Sequence, residues 1–408
     1  MTRTSEARSS VNITSLVMDL ARDVEYAWQQ ADYDNVELAV IADRALVEHA
    51  LHESISWMDI VRWVNIEPNL PKQHNIEATF GQPPVTLYEG RRFYIEALFW
   101  LDGSPAVHSH SFAGAFQVFE GTSLHSVYEF EERQRVNADF RIGDMRCTKA
   151  EYLHRGDVRR ILPGDEFIHS TFHLDVPSVS LVVRTRHSTP RDSSGDRQFT
   201  FFRPGMARAS HFQDDAVTRR CQLLKMLGML GHDDYDAELL RLVEADDFES
   251  MIRYLEVDLE LRRDIESIAA ILSRVGTKHG KKTRLLLHAI LNSAREQTIC
   301  GLRKTVQDAR LRRFLAVAMV AWDRKSALAL LEEGFPNESP IDVTVECAMR
   351  LAKDHRDLSG VRLASDDAGI LREILSDNPS NELIDRQQVA AIRSRLLFPS
   401  VMAVFVNP

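Results

Sequence analysis

Cysteine is scarce in this sequence, and its four copies lie far apart along the 408 residues. Cys147, Cys221, Cys300 and Cys347 form no CxxC pair, so neither a zinc knot nor a disulfide framework is expected. No uncharged apolar run approaches the roughly 18 residues that a membrane-spanning helix needs. The N-terminal stretch MTRTSEARSSVNITSL also lacks the apolar core of a secretion signal. We therefore expect a cytoplasmic protein with reduced thiols and no membrane partner.

Positively charged residues are also fewer than negatively charged ones. The sequence has 50 lysines and arginines against 60 aspartates and glutamates, a formal net charge of −10. Because binding to phosphate backbones needs a basic face, a nucleic-acid partner is not expected. A chain of 408 residues exceeds the size of one ordinary core, which predicts two or three domains.

The spacing of apolar residues divides the chain into three regions and a short leader. Residues 1–12 are polar and are predicted to be disordered. Residues 13–84 carry apolar residues at three- and four-residue steps, which predicts helices that pack on the next region. Residues 85–210 contain short alternating runs, separated by turn sequences such as LDGSP, EGTS and PGD, with no helical pattern between them. Such a pattern is typical of an antiparallel β-barrel, and the first predicted strand is RRFYIEALFW.

Amphipathic spacing then continues to the end of the chain. Residues 211–408 are predicted to form an all-helical domain, either a bundle or a stack of helix pairs. One long stretch of this spacing runs over 235–276. The predicted fold class is therefore α+β, with an antiparallel barrel between N-terminal helices and a helical domain. The helical domain contains no chemical motif that we can assign, and it is a candidate surface for homodimerisation.

Two histidines one residue apart occur in the segment GSPAVHSHSFAGAFQVFEG, residues 103–121. Because residues two apart on a strand face the same side, His108 and His110 project together. His169 and His173 follow in LPGDEFIHSTFH, after the turn sequence PGD. Neutral imidazoles on the inner face of a small barrel are good metal ligands, so these residues predict a metal site.

These segments resemble the two motifs of the cupin superfamily, a family of β-barrel (jelly-roll) proteins. The first motif is matched by Gly103, His108, His110 and Gly121. The second is approximated by Gly156, Pro163, Gly164, His169 and His173, with His173 where asparagine is usual. The glutamate position of the first motif holds Gly114, followed by Ala115. The resemblance therefore implies a metal site of three histidines with no carboxylate ligand from that position.

Among cupins, the three-histidine site is most similar to that of the thiol dioxygenases of the cysteine dioxygenase type. Trp100, Gly103 and Ser104 precede the two histidines in a similar order, and helices before the barrel also agree. The resemblance implies that His108, His110 and His169 bind iron(II), although zinc, nickel and manganese fit the same ligands. It implies a non-haem oxygenase that oxidises a small polar or anionic metabolite with O2.

The sequence departs from that family where the substrate would bind. The family has a Ser-x-His-x-Tyr run on a late strand, and here Ser180, Val182 and Arg184 occupy those positions. The three side chains share one strand face, so Arg184 is a candidate to bind a substrate anion, with Ser180 beside it. Gln117 and Tyr128 are further candidates to line the pocket.

Several roles stay open. His173 is a candidate fourth ligand, although we favour a role in contacting the ligands. His125 is interpreted as an ordinary strand residue. Glu120 and Glu129 are candidate carboxylate ligands if they face inward, although we favour a solvated strand edge for both. The alternative to an oxygenase is a non-catalytic cupin module, which senses a ligand while the helical domain binds a partner. The full set of three histidines favours the enzyme.

Overall fold

The computed structural model describes residues 12–77, 80–101, 106–186, 197–209, 214–262, 264–354, 363–376, 386–396 and 400–406. Within these ranges, N-terminal helices precede an antiparallel β core, and a helical region follows it. This is the predicted α+β class. The predicted leader falls on residues that, except for Asn12, lie outside the described ones, as does Gly103 of the first cupin-like motif.

The N-terminal region contains four described helices. They are α1 (Ile13–Gln30), α2 (Asn35–His49), α3 (Leu51–Ser54) and α4 (Trp57–Ile66). Three of them begin where a polar side chain accepts hydrogen bonds from backbone N–H groups of the first turn, namely at Asn12, Asp34 and Ser56. The apolar face of α1 is buried together with α2 against the adjoining strands.

Eleven strands follow in the described part of the chain. They are β1 (Pro84–Glu89), β2 (Phe93–Trp100), β3 (Val107–His110), β4 (Gly114–Glu120), β5 (Ser123–Arg135), β6 (Phe140–Leu153), β7 (Val158–Ile161), β8 (Gly164–His173), β9 (Ser178–Thr185), β10 (Phe199–Phe202) and β11 (Met206–Ala209). The sequence pattern did not predict β1 and β11. Prolines around residue 84 obscured β1, which lies at a sheet edge where proline is tolerated.

The strands form two antiparallel sheets. One has five strands in the order β1-β2-β9-β4-β7, and the other closes into a six-stranded barrel in the order β10-β11-β6-β5-β8-β3. Alternate residues of each strand face opposite sides. On β9, Ser180, Val182 and Arg184 face a cavity, while Val179, Leu181 and Val183 pack against the N-terminal helices.

The C-terminal region is helical wherever it is described. Its helices are α5 (Asp215–Leu230), α6 (Tyr235–Ala245), α7 (Phe248–Arg262), α8 (Ile265–Arg274), α9 (Gly276–His279), α10 (Lys281–Thr305), α11 (Ala309–Val320), α12 (Arg324–Gly334), α13 (Pro340–Asp354), α14 (Ala368–Leu375), α15 (Arg386–Arg395) and α16 (Ala403–Val406). None of the helices among the described residues is long and apolar enough to cross a membrane.

These helices pack directly on the outer face of the barrel. Leu124 of β5 and Phe172 of β8 belong to the same buried cluster as α11 and α12. Arg203, which is 8% exposed, donates hydrogen bonds from the loop after β10 to the carbonyl oxygens of Met319, Val320 and Ala321 at the end of α11. The guanidinium thus satisfies carbonyl groups that have no partner within the helix. The predicted domain boundaries at residues 84 and 210 stay predictions.

Candidate metal centre

Three histidines from two neighbouring strands lie together inside the β core. His108 and His110 belong to β3, and His169 lies opposite His108 on the antiparallel neighbour β8. One candidate ligand nitrogen from each of the three lies within 4.8 Å of the other two. The two-residue periodicity of β3 therefore brings both of its histidines to the same cavity as His169, as a metal site requires.

Hydrogen bonds fix the tautomers of two of these imidazoles. The Nδ1 atom of His108 lies 2.9 Å from the carbonyl oxygen of Ala106, which can only accept, so Nδ1 carries the proton. The Nε2 atom of His108 then holds a lone pair, and this buried atom has no hydrogen-bond partner among the described residues. This lone pair lies next to two other imidazoles, where it is available to bind a metal ion.

His169 is oriented by a chain of polar groups on β5 and β6. Its Nδ1 atom lies 3.1 Å from Nε2 of His125, and Nδ1 of His125 lies 3.3 Å from the carboxylate of Glu151. Hydrogen bonds from His125, Arg159 and Lys149 lower the pKa of Glu151, so this carboxylate is ionised and can only accept. His125 therefore donates to Glu151 and accepts from His169, whose Nε2 lone pair faces the cavity.

The distance between the ligand atoms fits a divalent cation. Nε2 of His110 lies 2.9 Å from Nε2 of His169. Two nitrogen ligands at right angles, each about 2.1 Å from a metal ion, would be about 3.0 Å apart. The ring centroid of His108 lies 4.7 Å from that of His110 and 4.8 Å from that of His169. A small movement of His108 would complete a three-nitrogen face.

The electrostatic environment keeps the ligands neutral. Burial lowers the pKa of His108, and it lowers the pKa values of His110 and His169 well below the ordinary value of 6.5. Repulsion among the neighbouring imidazoles acts in the same direction. The imidazoles are therefore unprotonated at neutral pH, which is the form that binds a metal.

A carboxylate ligand cannot come from the position that cupins commonly use. Gly114 occupies it at the start of β4, with φ of 158°. A Cβ atom there would lie 1.9 Å from the carbonyl oxygen of Val183, on the neighbouring strand β9. The close approach of the two backbones therefore requires glycine, and the candidate metal ligands in the described part of the chain are all imidazoles.

The three histidines line one wall of a cavity of about 70 Å³. The facing wall is mainly apolar and comes from the five-stranded sheet; it includes Leu98, Trp100, Phe116, Ile161 and Val182. Phe80 lies at the cavity with 47% of its surface exposed, and its ring contacts those of Trp100 and His108 edge to face. A site of this kind admits a small ligand and leaves little room for water.

Arg184 lines this cavity, but its charge already has a partner. Its Nη1 atom donates to Oε1 of Glu96 at 3.0 Å, and its guanidinium stacks on the ring of Phe112 at 3.6 Å. Glu96 is 1% exposed, and its Oε2 atom has no hydrogen-bond partner among the described residues. The polar end of the cavity is therefore an ion pair rather than the lone cation that the sequence suggested. Ser180 lies beside it and accepts a hydrogen bond from Trp100 Nε1.

His173 lines the cavity outside the three-histidine cluster. Its ring stacks on Trp100 with centroids 4.7 Å apart, and its Nδ1 atom lies 3.0 Å from the hydroxyl of Ser123. Burial and the nearby charge of Arg303 lower the pKa of His173 to about 3. A neutral, stacked imidazole in this position shapes the cavity beside the candidate ligands.

Gln117 and Tyr128 lie away from the cavity. Gln117 is on the opposite face of β4, where its amide donates to the carbonyl oxygens of Leu46 and Gly156. The hydroxyl of Tyr128 accepts a hydrogen bond from Arg203 at the contact with α11. Both side chains support packing between layers and do not line the pocket as predicted from the sequence.

Sequence reasoning missed three residues of this site: His125, Glu96 and Phe80. His125 was interpreted as an ordinary strand residue, yet it is fully buried and contacts His169. A period-two signal was available, because His125 and Val127 share the inward face of β5. By contrast, Glu129 is exposed and pairs with Arg146, and Glu120 lies 3.9 Å from Arg155.

Comparison with profiles of known protein families gave no match, and a comparison with curated proteins found no similar sequence. The class of site therefore rests on the fold and the geometry. A closed antiparallel barrel with a three-histidine cluster is compatible with a cupin-like jelly roll and fits a metal-binding protein of that architecture.

Proposed function

We propose that the protein is a metal-dependent oxygenase in which His108, His110 and His169 bind iron(II). The observation that carries this proposal is the convergence of three neutral imidazole nitrogens within 4.8 Å in a mainly apolar cavity. Imidazole is a good ligand for iron(II), and a site without a carboxylate ligand keeps the full charge of the ion. Bound iron(II) would activate O2, and the organic substrate, which is oxidised, would supply the electrons that reduce it.

The residues of the chain have separate roles in this proposal. His125 and Glu151 hold His169 in the tautomer that presents Nε2 to the metal. Phe116 and Val182 contribute apolar surface to the cavity. The Glu96–Arg184 pair forms a polar wall with balanced charge, so an anionic group of the substrate is attracted chiefly by the metal. These features favour a small polar or anionic substrate.

The test is oxygen consumption by the iron-loaded protein. The full-length protein is loaded with iron(II) without air and then screened with an oxygen electrode against small thiols, amino acids and keto acids. The proposal predicts oxygen uptake with at least one class, and its loss in His169→Ala. His154→Ala serves as the control, because His154 is exposed and lies outside the cluster.

Uptake of iron without oxygen consumption in any of the three classes would contradict the oxygenase. It would favour the alternative, a metal-containing barrel that binds a ligand without converting it. Equal oxygen consumption by wild type and His169→Ala would also contradict the proposal, because the reaction would then not depend on this site.

A further inference from the structure

A second candidate binding site lies where the C-terminal helices meet the rim of the β core. The end of α10, the following connection and the start of α11 contribute Arg303, Lys304, Gln307 and Arg312. The β core contributes Gln82 and apolar side chains. Together they line a depression of about 450 Å³, which we call the junction site. The side chains with formal charge that line it among the described residues are cations.

Arg312 is the decisive residue of the junction site. It is only 5% exposed, and neither its Nε nor its Nη2 atom has a hydrogen-bond partner among the described residues. Burial lowers the pKa of Arg312, as expected when a charge is removed from water without compensation. A buried guanidinium is stable when an anion accepts its hydrogen bonds, and two donors of Arg312 have no acceptor within the described part of the chain.

Asp175, whose charge acts on Arg312, does not fill this role. Asp175, in the loop after β8, acts on Arg312 electrostatically and partly offsets the effect of burial on its pKa. Its carboxylate, however, accepts a hydrogen bond from the backbone N–H of Thr122 at 2.7 Å, and the side chain is exposed. Among the described residues, these two donors of Arg312 have no acceptor, and this points to a bound anion as their partner.

We propose that the junction site binds an oxyanion, the carboxylate or phosphate group of a small molecule, with Arg312 as its principal ligand. The planar guanidinium offers Nε and a terminal nitrogen in a fork that matches two oxygens of such a group. Arg303 and Lys304 add positive charge on the facing helix end, and the amide of Gln307 is an additional donor at the rim.

The junction site adjoins the candidate metal centre but shares no ligand with it. The guanidinium of Arg303 lies 4.9 Å above the ring of Phe172, the residue before His173 on β8. Phe172 faces the helices, and His173 faces the metal cavity. Since the junction site uses none of the three candidate metal ligands, anion binding there is independent of the proposed oxygenase activity.

The test is calorimetric titration of the full-length protein with inorganic phosphate and with malonate, both as purified and after treatment with a chelator. We expect saturable binding of at least one anion to the wild type in both preparations. Replacing Arg312 with glutamine should weaken binding at least about tenfold, because a charge-assisted hydrogen-bond pair is lost. Tighter binding of phosphate would assign a phosphate group, and tighter binding of malonate a carboxylate.

Two further variants keep the test decisive if Arg312→Gln folds poorly. Gln307→Glu places a carboxylate at an exposed position on the rim, and it should weaken anion binding by repulsion. Lys325→Gln removes an exposed cation of α12 and should leave the affinity unchanged. The proposal is overturned if neither anion binds saturably, or if Gln307→Glu binds the anion as tightly as the wild type.

Discussion

The Nε2 atom of His125 lies 3.1 Å from the Nδ1 atom of His169. The two residues are diagonal neighbours on the adjacent, hydrogen-bonded strands β5 and β8, where His125 is opposite Thr171. Because Glu151 fixes the tautomer of His125, the orientation of a candidate metal ligand depends on a carboxylate two strands away. The site is therefore larger than its three histidines.

This arrangement predicts a loss of metal affinity when His125 or Glu151 is replaced. Glu151→Gln or His125→Asn should weaken metal binding by about 10- to 100-fold, because His169 is no longer held in the required tautomer. Competition with a chromophoric chelator measures the affinity directly. Glu129→Gln is the matched control, since Glu129 is an exposed residue of β5 that pairs with Arg146. Unchanged metal affinity in both Glu151→Gln and His125→Asn would show that these two residues do not support metal binding by His169.

The buried histidines predict acid sensitivity of the metal-free protein. His173 has a pKa of about 3 in the folded chain and an ordinary value of 6.5 when unfolded. Between these values the unfolded state binds a proton that the folded state does not. The free energy of unfolding should therefore fall with decreasing pH, by up to about 1.4 kcal/mol per pH unit from this residue alone.

His173→Gln tests this pH dependence, because glutamine can keep a polar contact with Ser123 but does not titrate. Urea unfolding of the chelator-treated proteins between about pH 6 and pH 4 should give a shallower decline in the variant. Equal slopes in the two proteins would show that His173 is not held in its neutral form.

The Glu96–Arg184 pair predicts strong coupling between two substitutions. Arg184→Met leaves the carboxylate of Glu96 buried without its cation and should cost about 3–5 kcal/mol of unfolding free energy. Adding Glu96→Leu should recover part of this loss, because no unpaired charge then remains. Urea unfolding of both single variants and the double variant measures the coupling. Additive losses would contradict it.

The hydrogen bonds of Arg203 predict that this residue stabilises the contact between the helical region and the barrel. Arg203→Met removes the donor for three carbonyl oxygens of α11 and for Tyr128, so we expect a loss of about 3 kcal/mol or more. Arg133→Met is the control, because Arg133 is 57% exposed and solvent screens its ion pairs, so we expect little loss of stability. Similar losses in the two variants, measured by urea unfolding, would contradict this role.

Local sequence patterns predicted much of the β core and the three clustered histidines. The two-residue period placed His108 and His110 on one face, and the PGD turn before His169 started the returning strand. The contact between His125 and His169 could not be predicted in the same way. It depends on the register between β5 and β8, which are separated along the chain by β6 and β7.

Other features depend on tertiary context. All eight residues of β2 are buried, so alternation could not show that Glu96 faces the cavity. The continuous amphipathic stretch at 235–276 is divided into several helices, and Asp264 begins α8 by accepting two backbone N–H groups. The partner of Arg184 was equally hidden, because Glu96 lies on a neighbouring strand far away in sequence.

The three-histidine site is best tested by the metal content of the purified protein after loading with iron(II) and removal of excess ion. We predict one tightly bound ion per chain in the wild type, and loss of that ion in His108→Ala, His110→Ala and His169→Ala. His154→Ala, which changes an exposed histidine, should keep it. A wild type that holds no iron, or three cluster variants that all keep it, would show that His108, His110 and His169 do not form an iron site.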